Sequence, residues 1–149
     1  MMVQKIYIGS DHAGFELKEK LIRWFERKSI FYEDVGALKF NPTDDFPDYA
    51  LKVANAVVRS KSLGILVCGS GQGMCITANK VKGIRAVIPS SLREARLSRK
   101  HDNANIMCLS GWYTNFHKAT TMIERFMKTP FSREPKRIRR LNKIKRIET

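Results

Sequence analysis

LGILVCGSGQGMCITANK, residues 63–80, decides the fold. From Leu63 to Cys68 the run is apolar throughout, the pattern of a strand buried on both faces. Gly69, Gly71 and Gly73 interrupt it, and a helical pattern follows to about Lys80. A strand, a glycine turn and a helix in that order bring free backbone N–H groups close to whatever lies at the turn. The spacing G-S-G-x-G is not the dinucleotide fingerprint G-x-G-x-x-G, and no Gly-Lys-Ser/Thr follows as in a P-loop. Amides placed this way could form an oxyanion hole for an enolate-like intermediate. Cys68 stands at the mouth of the turn. A helix N-terminus can lower a thiol pKa, so a thiolate there could abstract a proton or attack a carbon. The plain alternative is a small buried residue closing a strand.

Apolar runs alternate with helical patterns on both sides of this stretch. KIYIG (5–9), IFYEDVG (30–36), GIRAVIP (83–89) and ANIMCLSG (104–111) read as four more strands. Helices are expected from Phe15 to near Lys28, around Tyr49–Val58, from Leu92 to about Lys100 and over 115–129. KFNPTDDFPD (39–48) reads as a loop. Past Pro130, Ile138, Leu141, Ile144 and Ile147 recur every three residues among basic side chains, predicting a basic amphipathic helix. Five strands alternating with helices predict an α/β fold, a three-layer sandwich with a five-stranded parallel sheet. The commonest order is 2-1-3-4-5, with a switch point between strands 1 and 3. Ser10–Gly14 and the glycine turn converge there.

The length of 149 residues suits one domain, residues 1–149. A hydrophobic share of 43% with 28% charged residues suits a globular core. The N-terminus MMVQKIYIGSDHAG lacks the apolar run of a signal peptide, no window approaches a membrane span, and a cytoplasmic location is expected. Cysteines 68, 75 and 108 lack metal-type spacing and read as free thiols, the last two as packing residues. The formal charge is +14, of which residues 133–149 hold eight Lys/Arg and two acids. Such a tail is a solvated basic face, a nucleic-acid contact or a site for a small anionic substrate. It lacks the interleaved aromatics of a nucleic-acid module, and no nucleic-acid partner is expected.

Asp11-His12, on the other switch-point loop, could handle a hydroxyl or a phosphate; alone, the pair would read as a helix cap and a surface residue. His101, after the fourth helix, would alone read as a helix-end residue. Asp44, Asp45 and Asp48 read as turn and cap residues, with no further ligands to make a metal site.

GSDHAGFELKEKL, DFPDYALKVANAV, GILVCGSGQGMCITANKVKGIRA, LSRKHDNANIMCLSG and FSREPKRIRRLNKI together resemble, in order, the ribose-5-phosphate isomerase B family, over about residues 5–147. The wider group includes galactose-6-phosphate isomerase subunits. The resemblance implies a Rossmann-like fold, a homodimer or dimer of dimers, and no metal or nucleotide cofactor. It implies interconversion of ribose 5-phosphate and ribulose 5-phosphate, with the same chemistry on a six-carbon sugar phosphate as the alternative. Cys68 matches the general base between C1 and C2, whereas many relatives place a glutamate base at the position of Cys75. Ser70 and the amides of Gly71–Cys75 match the group that stabilises the enediolate, and His101 the residue that helps open the furanose ring. Asp11 matches a contact to sugar hydroxyls and His12 a phosphate contact. Asp45, Gly69, Gly71, Gly73, Asn79 and Asp102 complete the expected sugar contacts; Lys136, Arg137, Arg139 and Arg140 are the expected phosphate cations.

The chain departs from the family pattern at Phe46, where tyrosine is usual, and at Tyr113, where arginine is common in one branch. His101-Asp102-Asn103 replaces His-Asn-Asp, and Lys136 opens the tail motif, where a lysine is no bidentate clamp. These changes bear on substrate preference more than on reaction type. Asp11, His12 and Cys68 follow strands, but His101 follows a helix. In its own chain it should therefore lie about a strand length away, ~15–20 Å, at the opposite sheet edge. It can join the site only if a two-fold partner presents it, with the tail crossing alongside.

Overall fold

A computed structural model describes residues 4–148. Strands β1 (Ile6–Ser10), β2 (Tyr32–Asp34), β3 (Leu63–Cys68), β4 (Ala86–Val87) and β5 (Ile106–Ser110) form one parallel sheet. Helices α1 (Phe15–Arg27), α2 (Phe46–Ser60), α3 (Gln72–Ala78), α4 (Leu92–Asp102), α5 (Phe116–Lys128) and α6 (Pro135–Ile147) connect and follow the strands. Every residue of β3 and β5 is buried, as strands covered on both faces require. Side chains alternate across β3. Ile65 and Val67 enter a core with Leu21, Phe25, Ile123 and Phe126, while Leu66 and Cys68 enter a second core with Val53, Val57, Met74 and Cys108. Each large apolar side chain buried in this way contributes about 1.5–3 kcal/mol. No helix among the described residues is long and apolar enough to cross a membrane.

The sheet order is β2-β1-β3-β5-β4, not the expected 2-1-3-4-5. The physical reason lies in strand length and edge chemistry. Strand β5 pairs with β3 over its whole length, from Gly64 opposite Ile106 to Cys68 opposite Ser110. The expected seven-residue strand 83–89 forms a ladder only at Ala86 and Val87. Its open side is occupied by a side chain. Asn79 Oδ1 accepts from the Ala86 N–H at 2.8 Å, and Asn79 Nδ2 donates to the Ala86 carbonyl at 3.0 Å. That carboxamide takes the place of a neighbouring strand and closes the edge. The switch point between β1 and β3 survives the correction, because the chain still leaves β1 in opposite directions toward β2 and β3.

Helix α4 extends to Asp102, so His101 lies in its last turn rather than after it. Ser91 caps its start by accepting from the Glu94 N–H, and Asn103 ends it in the left-handed conformation. Helix α6 packs against α4 and has no fully buried residue.

Candidate active site

The carboxyl ends of β1 and β3 meet the first turn of α2 around a cavity of 270 Å³. Asp11, His12, Phe46, Cys68, Ser70 and Trp112 are among its walls. Gly71 takes φ +84°, a left-handed conformation that glycine adopts without penalty, and this turns the chain from β3 into α3. The glycines beside it make room for aromatic rings. A Cβ on Gly69 would sit 2.5 Å from the Trp112 ring, and one on Gly73 would sit 2.5 Å from Phe46. The loop after β5 is fastened to the same turn. The Gly111 N–H donates to the Cys68 carbonyl at 2.7 Å, and the Ser110 hydroxyl donates to the Gly69 carbonyl at 2.6 Å.

Cys68 is buried, and burial pushes its thiol above the ordinary range. The N–H groups of Met74 and Gly71 pull it back, the Asp11 carboxylate raises it further, and the Gly73 N–H lowers it again. The net direction is upward, so the helix N-terminus does not make this thiol acidic as the sequence suggested it could. The field of the amides is present; desolvation outweighs it. A thiolate in this environment is strongly basic, and the N–H groups of Met74, Gly71 and Gly73 that oppose the shift lie at its sulfur.

Asp11 is buried too. Its Oδ1 accepts from the Gly14 N–H at 3.1 Å, and burial raises its pKa. His12 is fixed from a segment that sequence reading assigned only to a turn. Both its backbone N–H, at 3.0 Å, and its Nδ1, at 2.7 Å, bond Asp44 Oδ1. The Asp44 side chain is only 4% exposed while that of His12 is 38% exposed. Asp44 is thus a buried anchor that leaves the imidazole edge open, and it raises the His12 pKa. Thirty-two residues separate the pair, so no local pattern announces it. Trp112 was missed as well; its only signal is its place just past β5, at the same sheet edge as Cys68. Ligand atoms of Asp11, His12 and Asp44 lie within 4.8 Å of one another, close enough to hold a cation. The 2.7 Å His12–Asp44 contact already uses one of the imidazole nitrogens.

Asp11, His12, Cys68, Gly69, Ser70 and Gly73 come together here, and Gly71 backs them as the N-cap of α3. Asp45 sits exposed at the N-cap of α2 beside Asp44. Asn79 is engaged with Ala86 at the sheet edge, and with Asp102 it borders a separate cavity of 460 Å³ along α6. His101 precedes β5, and Ile106 pairs with Gly64 at the opposite end of β3 from Cys68. Lys136, Arg137, Arg139 and Arg140 lie on α6, on the α4 side with His101. Lys136 pairs with Glu134 at 3.7 Å, and the buried Arg137 Nε has no hydrogen-bond partner among the described residues.

The sequence pattern of the family described as Ribose/Galactose Isomerase matches residues 6–144. The chain belongs to this family. A probable ribose-5-phosphate isomerase B of Mycoplasma pneumoniae is 39% identical over 140 residues, covering 92% of each chain. The crystal structure of ribose-5-phosphate isomerase B from Mycoplasma genitalium with bound ribulose-5-phosphate superposes with a TM-score of 0.92 at 39% identity, covering 99% of this chain and 98% of that one. The type B ribose 5-phosphate isomerase of Trypanosoma brucei gives a TM-score of 0.92 at 40% identity, covering 99% and 100%. Membership in the family gives the β1–β3 cavity a chemistry to be tested against: movement of a proton between adjacent sugar carbons.

Proposed function

We propose that the chain is an aldose–ketose isomerase that interconverts ribose 5-phosphate and ribulose 5-phosphate. The observation that carries this reading is a buried thiol, Cys68, held against the amides of a glycine turn in the cavity that also presents Asp11 and His12. An isomerase of this kind must hold a base near the C1–C2 bond and aim donors at the enediolate. In the open-chain aldose, the Cys68 thiolate takes the proton from C2. The electron pair forms the C1–C2 double bond, and the C1 carbonyl becomes an oxyanion facing the turn amides and Ser70. Return of the proton to C1, with transfer of the O2 proton to O1, leaves the ketose. Atoms and electrons balance without an external oxidant.

Asp11 orders the sugar hydroxyls, and His12, oriented by Asp44, which favours its charged form, meets the phosphate. His101 and the four cations Lys136, Arg137, Arg139 and Arg140 belong to a site of the partner subunit in a homodimer. Their place at the opposite sheet edge supports that reading. In the partner's site, His101 helps open the furanose ring, Asp102 faces the sugar and Lys136, Arg137, Arg139 and Arg140 surround the phosphate. The free thiols of the three cysteines suit a reducing compartment such as the cytosol. The same chemistry on a six-carbon sugar phosphate is the second reading: Phe46 lines the cavity where the family usually carries tyrosine, so one hydroxyl contact to the sugar is missing.

The test is conversion of ribose 5-phosphate to ribulose 5-phosphate, run beside a panel of six-carbon sugar phosphates. Ribose 5-phosphate should give the highest kcat/KM. Cys68→Ala should lose about 10²–10⁴-fold in rate and lose exchange of the C2 proton, while phosphate binding persists. Near-normal turnover in that variant would remove Cys68 from the mechanism. A severe loss in Cys75→Ser instead would move the base to Cys75.

A further inference from the structure

The sheet edge opposite Cys68 carries a second concavity, of 640 Å³. Lys61, Arg85, Arg99, Arg133 and Lys145 project from its walls, and no acidic side chain lines it. The five cations come from five places in the fold: the C-cap of α2, the residue before β4, the body of α4, the loop before α6 and α6 itself. This is a convergence of separate segments, not one charged helix face. None of the five forms an ion pair with a carboxylate among the described residues.

Two of these cations are rigid. Arg85 Nε donates to the Asn103 carbonyl at 2.9 Å. Arg99 donates to the Ala104 carbonyl at 2.6 Å, to Asn103 Oδ1 at 2.9 Å and to the Thr129 carbonyl at 3.2 Å. All of these partners are neutral. They orient the guanidiniums without cancelling their charge. Burial disfavours the charged form of both arginines, and the charge of Arg85 disfavours that of Arg99 further. Glu148 offsets part of this field, but both its carboxylate oxygens accept from the Gly83 N–H at 3.1 Å. A fixed, like-charged cluster with low-dielectric walls concentrates positive potential, and a multivalent anion relieves it. The volume falls in the range of small-molecule sites, ~300–1,000 Å³. Val57 and Leu63, buried beneath the cations, add an apolar floor.

We propose that this concavity binds a multiply phosphorylated small molecule of nucleoside triphosphate size. It is separate from the sugar-phosphate site, because none of Lys136, Arg137, Arg139 and Arg140 lines it. The arginines set the position of the anion, and Lys61, Arg133 and Lys145 close on it from the rim.

The experiment is calorimetric titration of the full chain with ATP and, separately, with tripolyphosphate, both without divalent cations. Each should bind at one site per chain. The triple variant Lys61→Gln, Arg133→Gln, Lys145→Gln should bind about tenfold or more weakly. Its melting temperature without ligand should be unchanged, since these three side chains make no hydrogen bond in the described structure. The pair Lys136→Gln, Arg140→Gln should bind ATP like the parent. Because binding is read directly, the result stands whether or not the chain isomerises ribose 5-phosphate. The proposal is overturned by absence of binding, by undiminished binding in the triple variant, or by displacement of ATP with ribose 5-phosphate. Tighter binding of a single-stranded RNA than of either polyphosphate would overturn it as well.

Discussion

Gly73→Ala is a small change whose consequence follows from one distance. A Cβ there would stand 2.5 Å from Phe46 Cε1, 2.6 Å from Cζ and 2.9 Å from Cδ1. Carbon atoms in contact settle at about 3.5–4.0 Å, so the ring must withdraw by about 1 Å. Phe46 stands in the first turn of α2 and is 37% exposed, so it can yield toward solvent. Overpacking in a closed core costs about 1–3 kcal/mol, but a partly exposed ring puts this site at the low end. Alanine in place of a helical glycine returns up to about 1 kcal/mol. The two effects nearly cancel, and the melting temperature should move by no more than about 4 °C. Activity has no such compensation. Phe46 and Gly73 are in contact and both line the cavity that holds Cys68, and a displacement of about 1 Å at a reacting centre costs up to about 10²-fold. The assay is steady-state isomerisation beside a thermal melt. Gly73→Ala should lose about 10–10²-fold in kcat/KM, and adding Phe46→Leu should restore most of it by removing the ring edge. Wild-type kcat/KM in the single variant would refute the reasoning, as would a double variant no better than the single one.

The pH profile of kcat/KM should rise with a midpoint above that of an ordinary thiol. Burial raises the Cys68 pKa, so the thiolate is lost as pH falls through that raised value; a midpoint at or below the ordinary value contradicts the desolvation argument. Asp44→Asn should lower the pKa of His12, read from its imidazole proton resonance. In the parent the charged imidazole persists to higher pH and is lost as pH rises through the raised value, so the variant should lose it, and its phosphate contact, at lower pH; an unmoved resonance midpoint would remove Asp44 from this role. Cys68→Ala and His101→Ala homodimers should each be nearly inactive, yet refolded together in equal amounts they should recover about a quarter of the parent activity. Mixed dimers without activity would place His101 in the site of its own chain.

The apolar run 63–68 was legible because a strand covered on both faces leaves no choice of period, and β3 is buried at every position. The order of β4 and β5 was not legible, since both read as apolar strands. What separates them is the Asn79 carboxamide on the Ala86 backbone, a contact made only after folding. In the site, the meeting of Asp11, His12 and Cys68 followed from topology, because loops after β1 and β3 share the switch point. The Asp44–His12 bond joins segments 32 residues apart and has no local signature. The direction of the Cys68 pKa was hidden for a different reason. Glycines in a sequence announce amides, whereas desolvation depends on which side chains close over the sulfur.

Helix α6 has no fully buried residue, whereas every residue of β3 is buried. The two segments therefore evolve under different rules. An exchange in β3 disturbs two cores at once, but an exposed residue of α6 can be replaced at a stability change of about 0.5 kcal/mol or less. Cations on that helix can be added, removed or shifted by a turn while the scaffold that holds the thiol stays as it is. Selection can thus retune the charge that α6 presents through successive single substitutions, each crossing no valley in foldability.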